Sequence, residues 1–407
     1  MSLSARFREY ILIIGTVKKI FLLQILCLLF QASFACDGVR VSVLTCSPGD
    51  EAYSLFGHTA VRCTDERHGV DVVFNYGYFD FDTPGFMWKF ILGETDYCVG
   101  CVPYSYFLGE YAQRGSSVVE QVLNLTPEQE REIFSLLEDN CRVANRVYRY
   151  NYFYNNCTTK VRDKLLEVLG VDKLQLNADS QQATFREALG KLTAEHPWFS
   201  FGIDLLLGSE IDEPATPHQL QFIPMNFSTD LDMACISSGD SVARPLVIER
   251  NVLLEENRPV QQKNHLTPFN SSLLLLVFTF IIMLCELRSG KSYWGYDLMI
   301  MLLQGAAGLL LLFMALFSEH PAVGSNYLIL LLNPLALVLM PIFVYRIIKK
   351  KSMNIAWVQV VFVALFLLSA IAGMQVYPAP VYFCAAAILF RSLFNIYKKN
   401  ICELNIF

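Results

Sequence analysis

The chain has 407 residues, of which 54% are hydrophobic and only 17% charged, a composition too apolar for a single soluble domain. Its formal net charge of -6 at pH 7 argues against nucleic acid as a partner, because neutralising a phosphate backbone requires a basic surface. The sequence contains neither a glycine-rich phosphate loop nor the paired CxxC motifs that bind zinc, so we expect no cofactor and no metal. Part of the chain should lie in lipid.

The N-terminus has the features of an export signal. Two lysines precede a long apolar run, and the small residues Ser33 and Ala35 follow it at the spacing that a signal peptidase prefers. We predict that residues 1–35 are a signal peptide cleaved near Ala35, with an uncleaved anchor helix as the alternative. A lipoprotein signal ending at Cys36 is less favoured, because bulky Phe34 fits that site poorly. Each alternative sends the following chain out of the cytoplasm.

Residues 36–250 are long enough for one globular domain with a sizeable core, and their pattern predicts an α+β fold. Residues 39–46 and 70–79 are rich in β-branched and aromatic side chains, which favours strands. Thr126, followed by a proline and early glutamates, is typical of a helix start. The spacing of apolar residues predicts a second helix over 157–170, with a glycine at its end.

Five apolar stretches follow, in a predicted transmembrane domain of residues 269–407 that a polar linker, 251–268, joins to the outer domain. Each stretch is near the ~20 residues that a helix needs to cross a bilayer. Their limits are 271–287, 296–317, 327–348, 355–376 and 381–396.

The loops between these stretches indicate the orientation of the chain. Arg288 and Lys291 follow the first stretch, "RIIKKK" follows the third, and two lysines follow the fifth, whereas "SEHPAVGSN" and "YPAP" contain no Lys or Arg. Positive loops stay in the cytoplasm. We therefore predict a multi-pass protein of the inner membrane, with residues 36–250 in the periplasm.

Eight cysteines belong to the outer domain, and an oxidising compartment permits disulfides without revealing which cysteines pair. The motif "YCVGC" has redox spacing, but no thioredoxin-like βαβ pattern surrounds it, so we expect a structural pair or free buried thiols. The eight are Cys36, Cys46, Cys63, Cys98, Cys101, Cys141, Cys157 and Cys235.

Two residues of the outer domain are candidates for catalysis. His58, in "FGHTAVR", precedes a predicted strand and can present its ring at a cleft, although an ordinary surface histidine is the more common interpretation of such a residue alone. Cys157, in "YNNCTTKVRD", begins a predicted helix, whose N-terminus lowers a thiol pKa and can stabilise an oxyanion. A buried apolar cysteine is the alternative.

These two segments resemble the His and Cys blocks of permuted papain-like thiol enzymes, the lecithin:retinol acyltransferase-like group. With "FNYGYFDF", "LNLTPEQ", "LLLGSEID" and "SEHPAVGSNYLILLLNP", the chain as a whole resembles the Lnb family of Bacteroidota, a family associated with lipoprotein N-acylation. The resemblance covers nearly everything after the signal peptide. It implies a permuted papain-like α+β domain followed by an all-α transmembrane domain of five helices.

The resemblance also implies roles for individual residues. His58 would be the general base and Cys157 the nucleophile, with Asn156 before it at the helix start. In the relatives a polar residue on the next strand orients the imidazole, and here Asn75 is favoured over Asp71.

Four other charged residues are candidates for supporting roles. Arg162 and Asp163 lie one to two turns into the helix of the nucleophile, where they form either a buried ion pair that braces the site or a solvated helix face. Glu319 and His320 lie in the outer loop "SEHPAVGSN". Ionisable residues close to the membrane are often functional. The alternative is that they are ordinary polar residues of a solvent-exposed loop.

The function implied by the resemblance is transfer of an acyl chain from a phospholipid, through a Cys157 thioester, to the N-terminal amine of a diacylated lipoprotein. One alternative keeps the nucleophile but uses water, giving a membrane-tethered hydrolase of lipid or peptide substrates. Another is a non-catalytic module that binds lipoproteins. No sequence feature excludes water from the thioester, so the preference for transfer rests on the resemblance and the membrane context.

Overall fold

The computed structural model describes residues 38–170, 174–175, 183–237, 243–258, 265–349, 351 and 353–403. The predicted signal peptide, Cys36 and residues 259–264 of the predicted linker lie outside this part of the chain. The described chain forms an N-terminal domain of mixed α and β structure, followed by a helical region.

A seven-stranded antiparallel sheet, in the order β12-β5-β1-β2-β3-β4-β6, forms the frame of the N-terminal domain. Both strands predicted above are confirmed as β1 and β3. Five two-residue strands make two smaller sheets, β11-β10-β7 and β8-β9. The bounds are β1 Arg40–Cys46, β2 His58–Asp65, β3 Val70–Tyr78, β4 Asp96–Pro103, β5 Val118–Leu123, β6 Val147–Arg149, β7 Leu174–Gln175, β8 Ala183–Thr184, β9 Pro214–Ala215, β10 Cys235–Ile236, β11 Arg244–Pro245 and β12 Val247–Leu254.

Eight α-helices accompany the strands of the described N-terminal domain. The predicted start at Thr126 is confirmed: its side chain accepts from the backbone N–H of Gln129, and the Gln129 side chain accepts from the Thr126 N–H in return. The helices are α1 Phe86–Leu92, α2 Tyr104–Arg114, α3 Pro127–Cys141, α4 Cys157–Leu169, α5 Phe185–Leu192, α6 Pro197–Leu206, α7 Pro217–Leu220 and α8 Pro224–Met233.

Helices cover both faces of the main sheet, which explains the nearly continuous apolar sequence of β1. Val41 and Val43 belong to a core shared with α3, α4 and α8, whereas Leu44 and Cys46 pack with Phe107 of α2. Alternate residues of a strand point to opposite faces, so a strand buried on both faces is apolar throughout.

The helical region contains five α-helices, α9 Pro268–Ser289, α10 Trp294–Phe317, α11 Leu335–Ile348, α12 Ala356–Ile371 and α13 Ala379–Glu403. A 3-10 turn, Tyr327–Leu330, precedes α11. Four described segments are long and apolar enough to cross a membrane, namely Pro268–Ser289, Trp294–Phe317, Tyr327–Ile348 and Ala379–Lys398.

The prediction of five full spans is therefore supported for four of them. The predicted stretch 355–376 is helical only to Ile371, giving α12 a length of 16 residues. Gly373 follows with a φ of 66°, a left-handed conformation that ends the helix, so the apolar residues after it do not extend the span.

The main sheet continues into the segment predicted as a linker. Strand β12 continues to Leu254, and residues Asn251, Val252 and Leu254 pair with β5. The first four residues assigned to the polar linker are thus part of the sheet.

The N-terminal domain is docked onto the helical region at two places. At the first, the loop after α10 satisfies the last carbonyl groups of α1: the Ser318 hydroxyl donates to Ile91 O (2.8 Å), and the Glu319 N–H donates to Leu92 O (2.7 Å). Gly93 ends α1 with a φ of 75°, and a Cβ there would lie 2.7 Å from the His320 nitrogen. Only glycine permits this approach.

At the second place, the end of α6 meets the segment before α11. The Asn326 side chain donates to Leu205 O (2.8 Å), and the Gly208 N–H donates to Ala322 O (2.6 Å). A Cβ on Gly208 would lie 2.6 Å from the Ser325 backbone. Apolar side chains of α6, including Phe201 and Leu205, pack into the core of the helical region.

Candidate active site

Cys157 is the first residue of α4, and Asn156 caps that helix. The Asn156 Oδ1 accepts from the backbone N–H groups of Thr158 and Thr159, each at 2.9 Å, while the Thr159 hydroxyl accepts from the Asn156 N–H at 2.8 Å. A cap of this kind satisfies amides that would otherwise lack partners at the helix start. It fixes the position of the thiol relative to the helix axis.

The other end of the Asn156 amide anchors the helix to its surroundings. Its Nδ2 donates to Tyr152 O (3.1 Å) and to Phe222 O (2.8 Å), both backbone carbonyls. Further along α4, the buried Arg162 guanidinium donates to His218 O (2.9 Å). The helix that carries Cys157 is therefore tied down at its start and one turn later.

His58 begins β2, and Asn75 lies on the neighbouring strand β3. The register pairs Val61 with Phe74, so His58 and Asn75 project from the same face of the sheet. Their side chains meet: the His58 Nε2–H donates to the Asn75 Oδ1 at 2.5 Å, since an amide oxygen can only accept. The remaining ring nitrogen, Nδ1, is left for the Cys157 thiol, which lies close enough to the imidazole for each group to shift the pKa of the other.

Two neighbours, one from the sheet and one from α2, define the space around this pair. Gly77 has a φ of 103° at a register shift of β3, and a Cβ there would lie 3.7 Å from the His58 ring and 3.9 Å from the Cys157 Cβ. On another side, Tyr111 of α2 stacks against the His58 ring, with centroids 6.3 Å apart. The imidazole is thus held from two directions.

Cys157 and His58 shift each other's pKa. Burial alone would raise the pKa of the Cys157 thiol, but the charge of His58, its hydrogen bond and the Thr59 backbone N–H together lower that pKa to about 7. Burial lowers the pKa of His58, but the Cys157 charge and the hydrogen bonds that the ring donates to Cys157 and Asn75 outweigh this effect, so the His58 pKa is raised. This favours a thiolate–imidazolium pair near neutral pH.

Cys157 and His58 are each partly exposed as whole residues. Among the described residues, no group of three or more His, Cys, Asp or Glu side chains is arranged to hold a metal ion. A reactive thiolate, a base and a helix N-terminus together suit nucleophilic attack on a carbonyl carbon.

Two family models match the chain, and together they cover both parts of the fold. The Lnb N-terminal periplasmic domain matches residues 29–190, and the Lnb transmembrane domain matches residues 260–400. The chain belongs to the Lnb family. It is a multi-pass membrane protein whose N-terminal domain lies in the periplasm, and its Lnb domains indicate a role in lipoprotein processing. Comparison with curated proteins and with solved structures gives no match.

Within this Lnb fold, the alternative to Asn75 occupies a different position. Asp71 accepts two hydrogen bonds from the Arg62 guanidinium, at 2.8 Å each, and is exposed. Asn75 is buried beside His58. The strand register thus brings Asn75, and not Asp71, to the imidazole.

The residues predicted to support the site divide into two groups. Arg162 is buried and pairs with Asp163 at 2.8 Å, but the Asp163 carboxylate is about half exposed, so neither predicted alternative describes this pair fully. Glu319 and His320 belong to the docking contact: Glu319 pairs with Arg149 (3.2 Å), and the His320 Nε2–H donates to Phe90 O (2.6 Å).

The described cysteines of the N-terminal domain are free thiols. Cys98 and Cys101 of "YCVGC" do not form a structural pair, and Cys101 is exposed, so only the prediction of free thiols is supported and they are not all buried. No pattern in the sequence marks Tyr111 as a neighbour of His58. Gly77 gave a signal, because a glycine inside a strand pattern often marks a bulge.

Proposed function

We propose that this Lnb protein is a lipoprotein N-acyltransferase that uses Cys157 as nucleophile, His58 as proton carrier and Asn75 to orient the imidazole. The observation that carries the proposal is the grouping of Cys157, His58 and Asn75: His58 is hydrogen-bonded to Asn75, and the thiol and imidazole shift each other's pKa, in a periplasmic domain docked onto membrane helices. The chain order, with the histidine strand before the cysteine helix, also fits a permuted papain-like domain. We keep the predicted limits of 36–250 for the enzyme part, with β12 continuing it to Leu254, and 269–407 for a five-helix membrane part.

In the first step, the Cys157 thiolate attacks an ester carbonyl of a phospholipid. The oxygen of the carbonyl gains negative charge, and because Asn156 occupies the amides of Thr158 and Thr159, the Cys157 N–H is the donor left at the helix start. The C–O bond then breaks, the His58 imidazolium gives its proton to the leaving alkoxide, and a lysophospholipid departs. The acyl chain remains on sulfur as a thioester.

In the second step, the amine of a diacylated lipoprotein attacks the thioester. Neutral His58 takes a proton from the attacking nitrogen, an amide forms, and the C–S bond breaks to restore the thiolate. Asn75 keeps Nδ1 directed at the reacting atoms by holding Nε2–H throughout. Docking onto the membrane helices keeps this chemistry at the surface where both lipids reside, which raises their effective concentration.

The test is the mass of lipoprotein N-termini from cells producing the wild-type protein, Cys157→Ala or Cys101→Ala. Cys101 is an exposed free thiol and serves as the matched control. We expect a third acyl chain with the wild type and Cys101→Ala, and none with Cys157→Ala. Release of free fatty acid without a third chain would replace transfer by hydrolysis. A third chain formed by Cys157→Ala would favour a lipoprotein-binding role.

A further inference from the structure

Helix α1 exposes large apolar side chains at the junction of the two domains. Met87 is 65% exposed, Trp88 59% and Phe90 44%, and with Lys89 between the last two they lie within four positions of a helix of only seven residues. A soluble surface rarely leaves such a concentrated apolar group in water. A partner of apolar character should cover it.

Contacts with α10 place this group at the depth of the outer leaflet. The Trp88 ring lies 5.3 Å from the ring of Phe313, and Phe313 is one turn before the end of α10 at Phe317. One turn of helix is about 5.4 Å long, so Trp88 lies roughly that far inside the end of a membrane-crossing helix. Tryptophan is enriched at this interfacial depth, and short amphipathic helices bind there.

The exposed side chains continue from α1 toward the thiol. Phe90 contacts Phe86 (6.3 Å between centroids), and Phe86 contacts both Phe81 (5.1 Å) and Phe79 (5.7 Å). Phe81 is itself 60% exposed, and Tyr53 stands beside Phe79 at 6.0 Å.

From Phe79 a second series of rings leads inward. Phe79 stacks on Tyr97 (4.8 Å), and Tyr97 stacks on Tyr150 (4.1 Å). Tyr150 lies close enough to Cys157 for the thiolate charge to help raise its pKa, after burial, which is the larger cause. This aromatic surface, exposed at its outer end and buried at Tyr97, thus connects the membrane interface with the surroundings of the nucleophile.

We propose that the exposed part of this surface binds the acyl chains of an outer-leaflet phospholipid and leads the donor ester to Cys157. We call it the interfacial patch, and it comprises Tyr53, Phe79, Phe81, Met87, Trp88 and Phe90. This inference rests on the proposed function, because it concerns the route of the donor to the same thiol. A bilayer is the occupant that fits, since the patch continues directly from the docking contact with α10.

The experiment uses the full chain in vesicles of phosphatidylethanolamine and phosphatidylglycerol. Met87→Glu and Trp88→Glu are compared with Tyr106→Glu, a matched control on α2 whose tyrosine is 78% exposed outside the patch. Three rates are measured: acyl-enzyme formation from vesicle lipid by intact mass, acylation by water-soluble p-nitrophenyl acetate, and alkylation of Cys157 by iodoacetamide.

We expect Met87→Glu and Trp88→Glu to form acyl-enzyme from vesicle lipid roughly 10-fold to 100-fold more slowly, because burial of a large apolar side chain is lost. Their reactions with p-nitrophenyl acetate and iodoacetamide should match the wild type, which also shows that the site is folded. Tyr106→Glu should match the wild type in all three rates. Equal rates of acyl-enzyme formation from lipid in all four proteins would overturn the proposed role of the interfacial patch. A wild type that reacts with p-nitrophenyl acetate but never with lipid would instead overturn the proposed function.

A second measurement locates the patch without using activity. In a protein whose other tryptophans are replaced (Trp198→Phe, Trp294→Phe and Trp357→Phe), the fluorescence of Trp88 should be quenched by lipids brominated near the headgroup end of their chains. As a reference, the same lipids are tested on an indole that is exposed to water. If Trp88 is quenched no more strongly than this reference, an interfacial position is contradicted.

Discussion

The charge state of one thiol depends on residues that lie far from it in the sequence. Cys157 is buried enough that its isolated thiolate would be unfavourable, yet His58 and the Thr59 backbone N–H reverse that penalty. No neighbouring group lowers the pKa of Cys101 in this way. Burial and the Glu138 charge both raise it. The two thiols should therefore differ strongly in reactivity.

We predict that the alkylation rate of Cys157 rises with pH through a midpoint of about 7. The thiolate is the reactive form, so a lowered pKa means that reactivity is present above the midpoint and is lost as the pH falls through it. In His58→Ala the midpoint should move above the ordinary value of about 8.5, because only the burial penalty and weaker hydrogen bonds remain. Iodoacetamide labelling with peptide mapping measures both. Faster labelling of exposed Cys101 than of Cys157 at pH 7 would refute the pairing.

Asn75 and Asp71 provide a matched pair of polar residues on one strand. Asn75→Ala removes the acceptor of the His58 Nε2–H, so we expect the turnover rate to fall roughly 10-fold to 100-fold as the ring loses its orientation. Asp71→Ala breaks only an exposed ion pair with Arg62 and should leave turnover nearly unchanged. Asn75→Asp keeps an acceptor and should restore most of the rate. Steady-state kinetics measure the turnover rates. Comparable losses of turnover in Asn75→Ala and Asp71→Ala would contradict the assignment of Asn75 as the residue that orients His58.

At the scale of a single element, α4 depends on its first turn more than an ordinary helix does. The Asn156 side chain caps two amides and also donates to two backbone carbonyls from other segments. Thr126 at the start of α3 has an equivalent capping box, but among the described residues its side chain forms hydrogen bonds only within that first turn.

We therefore predict that Asn156→Ala is more destabilising than Thr126→Ala. Loss of a cap costs about 1 kcal/mol, and the buried Phe222 carbonyl left without its donor adds about 1–3 kcal/mol, with a smaller cost for the partly buried Tyr152 carbonyl. The unfolding midpoint, followed in detergent by circular dichroism, should fall further for Asn156→Ala, and Cys157 alkylation should slow. Equal shifts in the two variants would mean that the contacts of Asn156 with Tyr152 and Phe222 carry little energy.

At the scale of the whole molecule, two sequence motifs far apart in the chain form the contact between the domains. Residues 205–209 of "LLLGSEID" meet residues 322–326 of "SEHPAVGSN", while the start of the latter motif caps α1. The membrane helices thus do more than tether the periplasmic domain: they hold it in a fixed orientation with α1 at the bilayer.

Gly93 tests this docking, with Gly69 as its control. Both have a left-handed φ, so alanine costs about 1 kcal/mol at either position, but a Cβ meets nothing within 4 Å at Gly69 and the His320 backbone at 2.7 Å at Gly93. We expect Gly93→Ala to lower the unfolding midpoint further and to slow acylation by vesicle lipid, while the reaction with p-nitrophenyl acetate persists. If Gly69→Ala and Gly93→Ala behave alike, the loop does not constrain α1.

Local patterns in the sequence determined the elements and their side of the membrane. Strands β1 and β3, the cap at Thr126 and the helix from Cys157 follow from periodicity and capping, which act between residues only a few positions apart. The alternation of positive loops likewise determined the orientation. The chemical types of Cys157 and His58 made them candidates, and the family resemblance predicted that they act together.

Only the tertiary structure decided which side chains meet. The register of β2 and β3 brings Asn75 to His58 and leaves Asp71 with Arg62, and a shift of one residue would have reversed the faces. Docking places Glu319 against Arg149, 170 positions earlier, instead of beside the thiol. Such contacts depend on how distant elements pack, because the chain between them contributes no local pattern that specifies the pairing.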